Sequence, residues 1–310
     1  MKIRAINVST EYKFEAHNVN ANEDGQPKQT GDGRIYVSGQ KVRYMLLETI
    51  RDLYKNQTIS TADGVLCDIT KDLRSDLIGY MDTENSSYAN KRTSVVLTSF
   101  ALSKKQSNFF EDLFVRFKVN PNTTNQNQQR INNKTYSEQD IINFNYMLDC
   151  VNLSTTEYFN FDEANKFVSR VYTKHVSEEE RKKRAEMFLR GTSYLLGLAN
   201  QSRNAVQNTP ERVFICFSDK MKFVKFFELS EESQAKMLAD LDSNNITYFL
   251  GGDGYEMSVD SAYSAAVEYL STNELVDLSN EQLTHEEARN KYQVLDKKEK
   301  KSKKEDAATV

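Results

Sequence analysis

Residues 34–51 read RIYVSGQKVRYMLLETIR. A short β-type run, Ile35–Val37, meets Ser38-Gly39-Gln40, and a helical pattern begins. Val42, Met45, Leu46, Thr49, Ile50 and Leu53 recur at three- and four-residue spacing, which predicts a helix from about Gly39 to Tyr54 with one apolar face. Ser38 stands where an N-cap belongs. Lys41, Arg43, Glu48, Arg51 and Lys55 fall largely off the apolar face. Lys41 and Arg43 sit in the first turn, where the helix dipole disfavours cations. A phosphate bound at that terminus would reverse the cost. A solvated polar face that happens to be basic accounts for the same spacing, and the spacing alone does not choose between the two.

The surrounding chain sets the frame. It has 310 residues, enough for one large domain or two small ones, with 38% hydrophobic side chains, 16 Tyr, 17 Phe and no Trp. Cys67, Cys150 and Cys216 are scattered, as are His17, His175 and His285. That pattern argues against a disulfide scaffold and a metal cage, and fits a reducing cytoplasm. No stretch reads as a signal peptide or a membrane span. The formal charge of −4 argues mildly against nucleic acid, but a binding surface depends on local charge. Residues 297–304 carry six lysines and one glutamate and read as a solvated, disordered tail.

Residues 2–14 read as a strand, and 17–34 as an Asn/Asp/Gly loop. Asp68–Met81 reads as a second helix with Ile69, Leu73 and Leu77 on one side. Residues 82–92 form a polar linker ending in Lys91-Arg92, and 93–103 a buried strand. Phe109–Lys118 is apolar and aromatic. Residues 120–134 hold Ile131 as their single aliphatic side chain, so they form a mobile loop or hairpin tip. Ile142, Phe144, Tyr146, Leu148 and Cys150 alternate with polar partners as a strand. Ser177 and Glu180 form a capping box for a helix burying Ala185, Phe188, Leu189, Leu195, Leu196 and Ala199. Strands at 211–218 and 246–252 alternate with helices at 230–242 and 259–270. The class is α+β or α/β, one core domain with insertions.

Catalytic signatures are absent: no GxSxG, HExxH or Walker A segment occurs. Gly251-Gly252-Asp253-Gly254 reads as a turn. Glu23-Asp24 offers a metal site or a base in principle, although acidic loop residues are usually solvated.

The order of these segments resembles the DevR-type family of type I-B CRISPR systems, in the RAMP superfamily. The resemblance rests on Ser38-Gly39-Gln40-Lys41-x-Arg43 after an Asn-rich loop, on Lys91-Arg92-Thr93-Ser94-Val95-Val96-Leu97, on FNYMLDCVNLSTTEYF (144–159) and on RGTSYLLGLANQSRNAV leading into TPERVFIC (190–216). It covers most of residues 1–218. It implies an α+β fold: a ferredoxin-like or RRM-like palm with a helical finger insertion and an extended hairpin thumb. The palm would take residues 1–55, about 93–117 and about 141–290, the insertion about 56–92 and the thumb about 118–140, within a single domain of 1–295. It further implies a non-catalytic, cytoplasmic subunit without cofactor or metal. Such subunits stack along a CRISPR guide RNA in a Cascade complex, beside other subunits, and support target DNA recognition in antiviral defence. Asn20, Asn22, Arg34, Ser38, Gln40, Lys41, Arg43, Lys91 and Arg92 would then hold the guide backbone. Asn122, Asn125, Gln128 and Arg130 would lie on the thumb. The basic tail has no counterpart in that pattern. A type III-like relative that cuts target RNA through Asp24 or Asp32, and a soluble enzyme of mixed fold, are the competing readings.

Overall fold

The computed structural model describes residues 2–82, 90–118, 128–162, 166–199 and 205–292. Strand β1 (Ala5–His17) leads through an irregular loop to β2 (Tyr36–Val37) and helix α1 (Gly39–Leu53). The segment that follows holds α2 (Leu73–Leu77) and the ribbon β3 (Tyr80–Asp82) and β4 (Asn90–Arg92). Short strands β5 (Val96–Thr98) and β6 (Ala101–Leu102) precede a long hairpin, β7 (Phe109–Lys118) and β8 (Gln128–Asp149). Next come β9 (Thr155–Phe161), β10 (Phe167–Lys174), α3 (Glu178–Gly191) and β11 (Arg212–Ser218). A 3-10 turn at Phe226–Glu228 leads to α4 (Glu231–Ser243), β12 (Tyr248–Gly252), α5 (Val259–Thr272), β13 (Glu281–Gln282) and α6 (His285–Lys291).

The period-two pattern of β1 explains the centre. It runs antiparallel to β11 on one side and β8 on the other, in a sheet ordered β12-β11-β1-β8-β5. Val8 stands opposite Ile215 and Tyr146, and Ser9 opposite Phe214 and Asn145. Alternation therefore sends Ile6, Val8, Tyr12 and Phe14 to one face, with Phe144, Tyr146 and Leu148 beside them. All are buried in one core with Val42, Leu46 and Ile50 of α1, Phe188 of α3 and Ala266 of α5. At about 25 cal/mol per Å² of apolar surface removed from water, such a core supplies the dominant folding force. Gly191 sits where α3 crosses α1: a Cβ there would lie 2.5 Å from Ile50 Cγ1. Any larger residue would push the helices apart.

The opposite face is polar, and a strap covers it. Asn7 Oδ1 accepts from Val224 N (3.1 Å) and Ser9 Oγ from Phe226 N (3.1 Å). Asn143 Nδ2 donates to the Phe227 carbonyl at 3.2 Å. Phe214 and Phe226 stack at 4.2 Å, and α4 closes a second apolar cluster over them.

The fold is the mixed α+β arrangement that the pattern predicts and is consistent with the ferredoxin-like palm that the resemblance implies, with local corrections. The helix predicted over Asp68–Met81 is five residues long. Asp72 caps it through Ser75 N at 2.9 Å, and Gly79 at φ +80° ends it before β3. Ile69, Leu73 and Leu77 are nevertheless all buried. Helix α3 stops at Gly191, because the hydroxyls of Thr192 and Ser193 donate to the carbonyls of Leu189 and Arg190. Leu195 is buried in a loop, not in a helix. Only the serine half of the capping box forms, Glu180 N donating to Ser177 Oγ. The strand predicted over 93–103 is broken at Ser99-Phe100. Strands β9 and β10 were not anticipated. Strand β8 begins inside the Asn/Gln-rich segment, so Gln128–Lys134 is hairpin arm, paired with β7 up to Lys118↔Gln128. The basic tail, 296–310, lies outside the described residues.

Two buried polar knots tie the outlying segments to the central sheet and α3. Asp76 receives Arg92 Nη2 at 2.7 Å, Arg184 Nη1 at 2.8 Å and Ser154 N at 2.9 Å. Burial pushes its carboxyl up, and the two guanidiniums with Ser154 more than reverse this, holding it below the usual carboxylate range. Arg181, fully buried on α3, donates to the carbonyls of Leu153, Cys150 and Val276. The second knot lies at the hairpin root, where Asp140 accepts from His17, Ser107 and Ser137.

Candidate nucleic-acid interface

The loop after β1 is ordered by its own amides. Asn18 Nδ2 donates to the Gly25 carbonyl (3.0 Å), and Asn22 Oδ1 accepts from Gln26 N (2.8 Å), closing the turn between them. Asn20 is buried, and its Nδ2 donates to the Tyr36 carbonyl at 3.0 Å. The Asn density that predicts a loop thus supplies its internal bracing. Gly25 adopts φ +81°, and Lys134 Nζ of the hairpin lies 3.1 Å from where its Cβ would be. The positive φ favours glycine there. The Asp32 carboxylate pairs with Arg34 Nε at 2.7 Å, and Thr30 donates to it as well. Those two bonds hold the Asp32 carboxyl below its ordinary range.

Between this loop and the hairpin root lies a cavity of about 680 Å³, lined by Asn22, Gln26, Lys28, Gln29, Tyr36, Phe109, Phe110 and Thr135 among others. Phe110 stacks on the buried Tyr136 at 5.8 Å, which holds the hairpin wall rigid.

Helix α1 starts at the edge of the same region. Ser38 Oγ accepts from Lys41 N at 3.2 Å, so the predicted cap is made and the hydroxyl proton can point outward. Gln40 is exposed. Lys41 Nζ donates to the Gly197 carbonyl and lies 4.8 Å from the Tyr44 ring centroid. Burial lowers its pKa, against the pull of Glu48. Arg43 is half-buried, and burial lowers its pKa too. It has no hydrogen-bond or ion-pair partner among the described residues. Arg51, by contrast, is paired with Glu48. A half-buried guanidinium without an acceptor costs free energy that an incoming anion would recover.

Asn22, Arg34, Ser38, Gln40, Lys41 and Arg43 therefore belong to one stretch, from the loop to the helix start. Asn20 is committed to the loop. Lys91 is exposed on β4, opposite Met81. Arg92 is turned inward: its guanidinium serves Asp76 and the carbonyls of Thr155 and Asn152. These bonds tie β4 to α2 and to the turn before β9. The structure describes Gln128 and Arg130 only as backbone in β8, and Asn122 and Asn125 lie outside the described residues. Sequence reasoning missed Lys28, Gln29 and Tyr36 as cavity walls. Lys28 and Gln29 carry no local signal, and Tyr36 reads as an ordinary strand residue. Among the described residues no group of three or more His, Cys, Asp or Glu side chains is placed to hold a metal ion. No described helix is long and apolar enough to cross a membrane.

The sheet with its long hairpin has counterparts in solved CRISPR assemblies. Two structures share the fold, a chain of a "CRISPR RNA-guided surveillance complex" and one of a "CRISPR RNA-guided surveillance complex, pre-nicking". Each has a TM-score of 0.56 and covers 86% of this chain and 99% of its own, at 14% and 11% identity. No curated protein sequence matches the chain. Residues 55–214, just over half of the chain, match the family described as CRISPR-associated negative auto-regulator DevR/Csa2. The chain belongs to that family. The matched range excludes residues 34–51, so the helix start stands on its geometry alone.

Proposed function

We propose that this chain is a guide-RNA-binding backbone subunit of a CRISPR surveillance complex of the type I-B Cascade kind, non-catalytic and repeated along the guide. The observation that carries the reading is Arg43: a half-buried cation with no partner among the described residues, beside the Ser38-capped helix start. A guide must be held whatever its sequence, and contacts to phosphate and ribose do this while base pairing reads the target. Ser38, Gln40, Lys41 and Arg43 supply donors of that kind, with Asn22 and Arg34 on the adjoining loop. The net charge of −4 is no obstacle, because one local stripe sets the binding potential. Lys91 and the hairpin are the further contacts, and other subunits and target DNA the further partners.

Light scattering of the purified chain with and without a guide-length RNA tests this. The expected result is an elongated particle holding several copies per RNA. A monomer that ignores added guide would overturn it. Incubating the particle with guide-matched RNA and Mg²⁺ tests the non-catalytic part, where regular cuts would show a nuclease.

A further inference from the structure

Phe100 stands in the two-residue step between β5 and β6, and the fold leaves it 53% exposed. Its surroundings are built. The ring leans on Tyr36 with centroids 5.9 Å apart. Lys225 Nζ lies 5.8 Å from the Phe100 centroid. Lys225 is held by Glu228 at 3.2 Å, Glu228 accepts from Asn145 Nδ2 at 2.7 Å, and the same Asn145 amide donates to Ser99 Oγ at 3.3 Å. A polar chain anchored on β8 thus fixes the lysine and the aromatic step relative to each other. Thr98 Oγ1 donates to the Gly39 carbonyl at 3.2 Å, so the step also abuts the start of α1. Tyr36 itself walls the cavity.

We propose that Phe100 is a stacking platform for one base of the bound RNA strand, with Lys225 meeting an adjacent phosphate. The proposal rests on the guide-binding reading above. An exposed ring paired with a fixed cation matches a base joined to its phosphate, the phosphate competing with Glu228 for Lys225. Stacking is also tolerant of sequence, since every base has a π-face.

The natural sequence contains no tryptophan, so F100W places a single indole at the platform. Filter binding and fluorescence are read on the same samples, with a guide RNA and a scrambled RNA of equal length. Expected is strong quenching of the indole by both RNAs. F100A, folded by thermal melt, should bind both RNAs roughly 5- to 100-fold more weakly. Retained RNA with unquenched emission, or F100A binding like the wild type, would overturn the platform and leave the guide-binding reading standing. An emission change on raising protein concentration without RNA would make Phe100 a contact between copies instead. No RNA retained by the wild type would defeat both readings.

Discussion

His17 Nε2 lies 2.8 Å from an oxygen of Asp140, and both side chains are buried. The pair joins the end of β1 to β8 where the long hairpin leaves the sheet. Burial pushes the Asp140 carboxyl up, and hydrogen bonds from His17, Ser107 and Ser137 more than reverse this. D140A would strand those donors. The expected loss of folding stability in a urea melt is about 3 kcal/mol or more, with earlier proteolytic cutting of the hairpin. A loss below about 1 kcal/mol would mean that the knot is not holding the root.

His175 and His285 face each other with ring centroids 5.7 Å apart. Burial, with the neighbouring His285, lowers His175 from its ordinary 6.5 to about 4. Burial also lowers His285, against Asp68. The unfolded chain binds protons first as pH falls. The stability from neutral His175 is therefore full above about pH 6.5 and lost progressively down to about pH 4. The loss amounts to roughly 3 kcal/mol at about 1.4 kcal/mol per unit. H175F should flatten that part of the profile in urea melts at pH 7.5, 6.5, 5.5 and 4.5. Identical slopes in wild type and variant would contradict the assignment.

Arg92 and Arg43 separate structure from binding. R92A leaves Asp76 with one guanidinium fewer in a buried site. It should destabilise the fold by about 3 kcal/mol, while the folded fraction keeps its RNA affinity. Weakened RNA binding at unchanged stability would return Arg92 to the interface.

The outer hairpin is a separable arm, since among the described residues β7 pairs with β8 alone. Replacing residues 114–132 by an Asn-Gly turn keeps the Leu113↔Asn133 pair at the end of the ladder. The melting temperature should change little, and RNA-dependent assembly should fall. A collapse of the melting temperature would make the arm part of the core.

Local signals were legible and non-local ones were not. The Ser38 cap and the buried Val42, Leu46 and Ile50 are a contiguous helix pattern, and the structure keeps them. Leu53, read into the same face, ends 41% exposed because the helix runs out beneath it. The spacing of Ile69, Leu73 and Leu77 mimics a longer helix, yet Asp72 and Gly79 cut it to five residues. Strands β9 and β10 mix charges with aromatics and are defined by pairing with each other. The inward turn of Arg92 depends on Asp76 and on the turn holding Asn152 and Thr155, two segments that no window of sequence brings together with it. The same holds for Phe100 with Lys225.

The central claim is that the helix start binds phosphate, and the R43A salt series tests it most directly. Arg43 lies off the apolar face and makes no internal bond among the described residues. Stability should therefore change by no more than about half a kcal/mol. Filter binding from low to high salt should show weaker RNA affinity by a similar factor for every guide sequence. The slope of log affinity against log salt should drop by roughly 0.7 per bound subunit. Unchanged affinity and slope in a folded R43A protein would contradict the account.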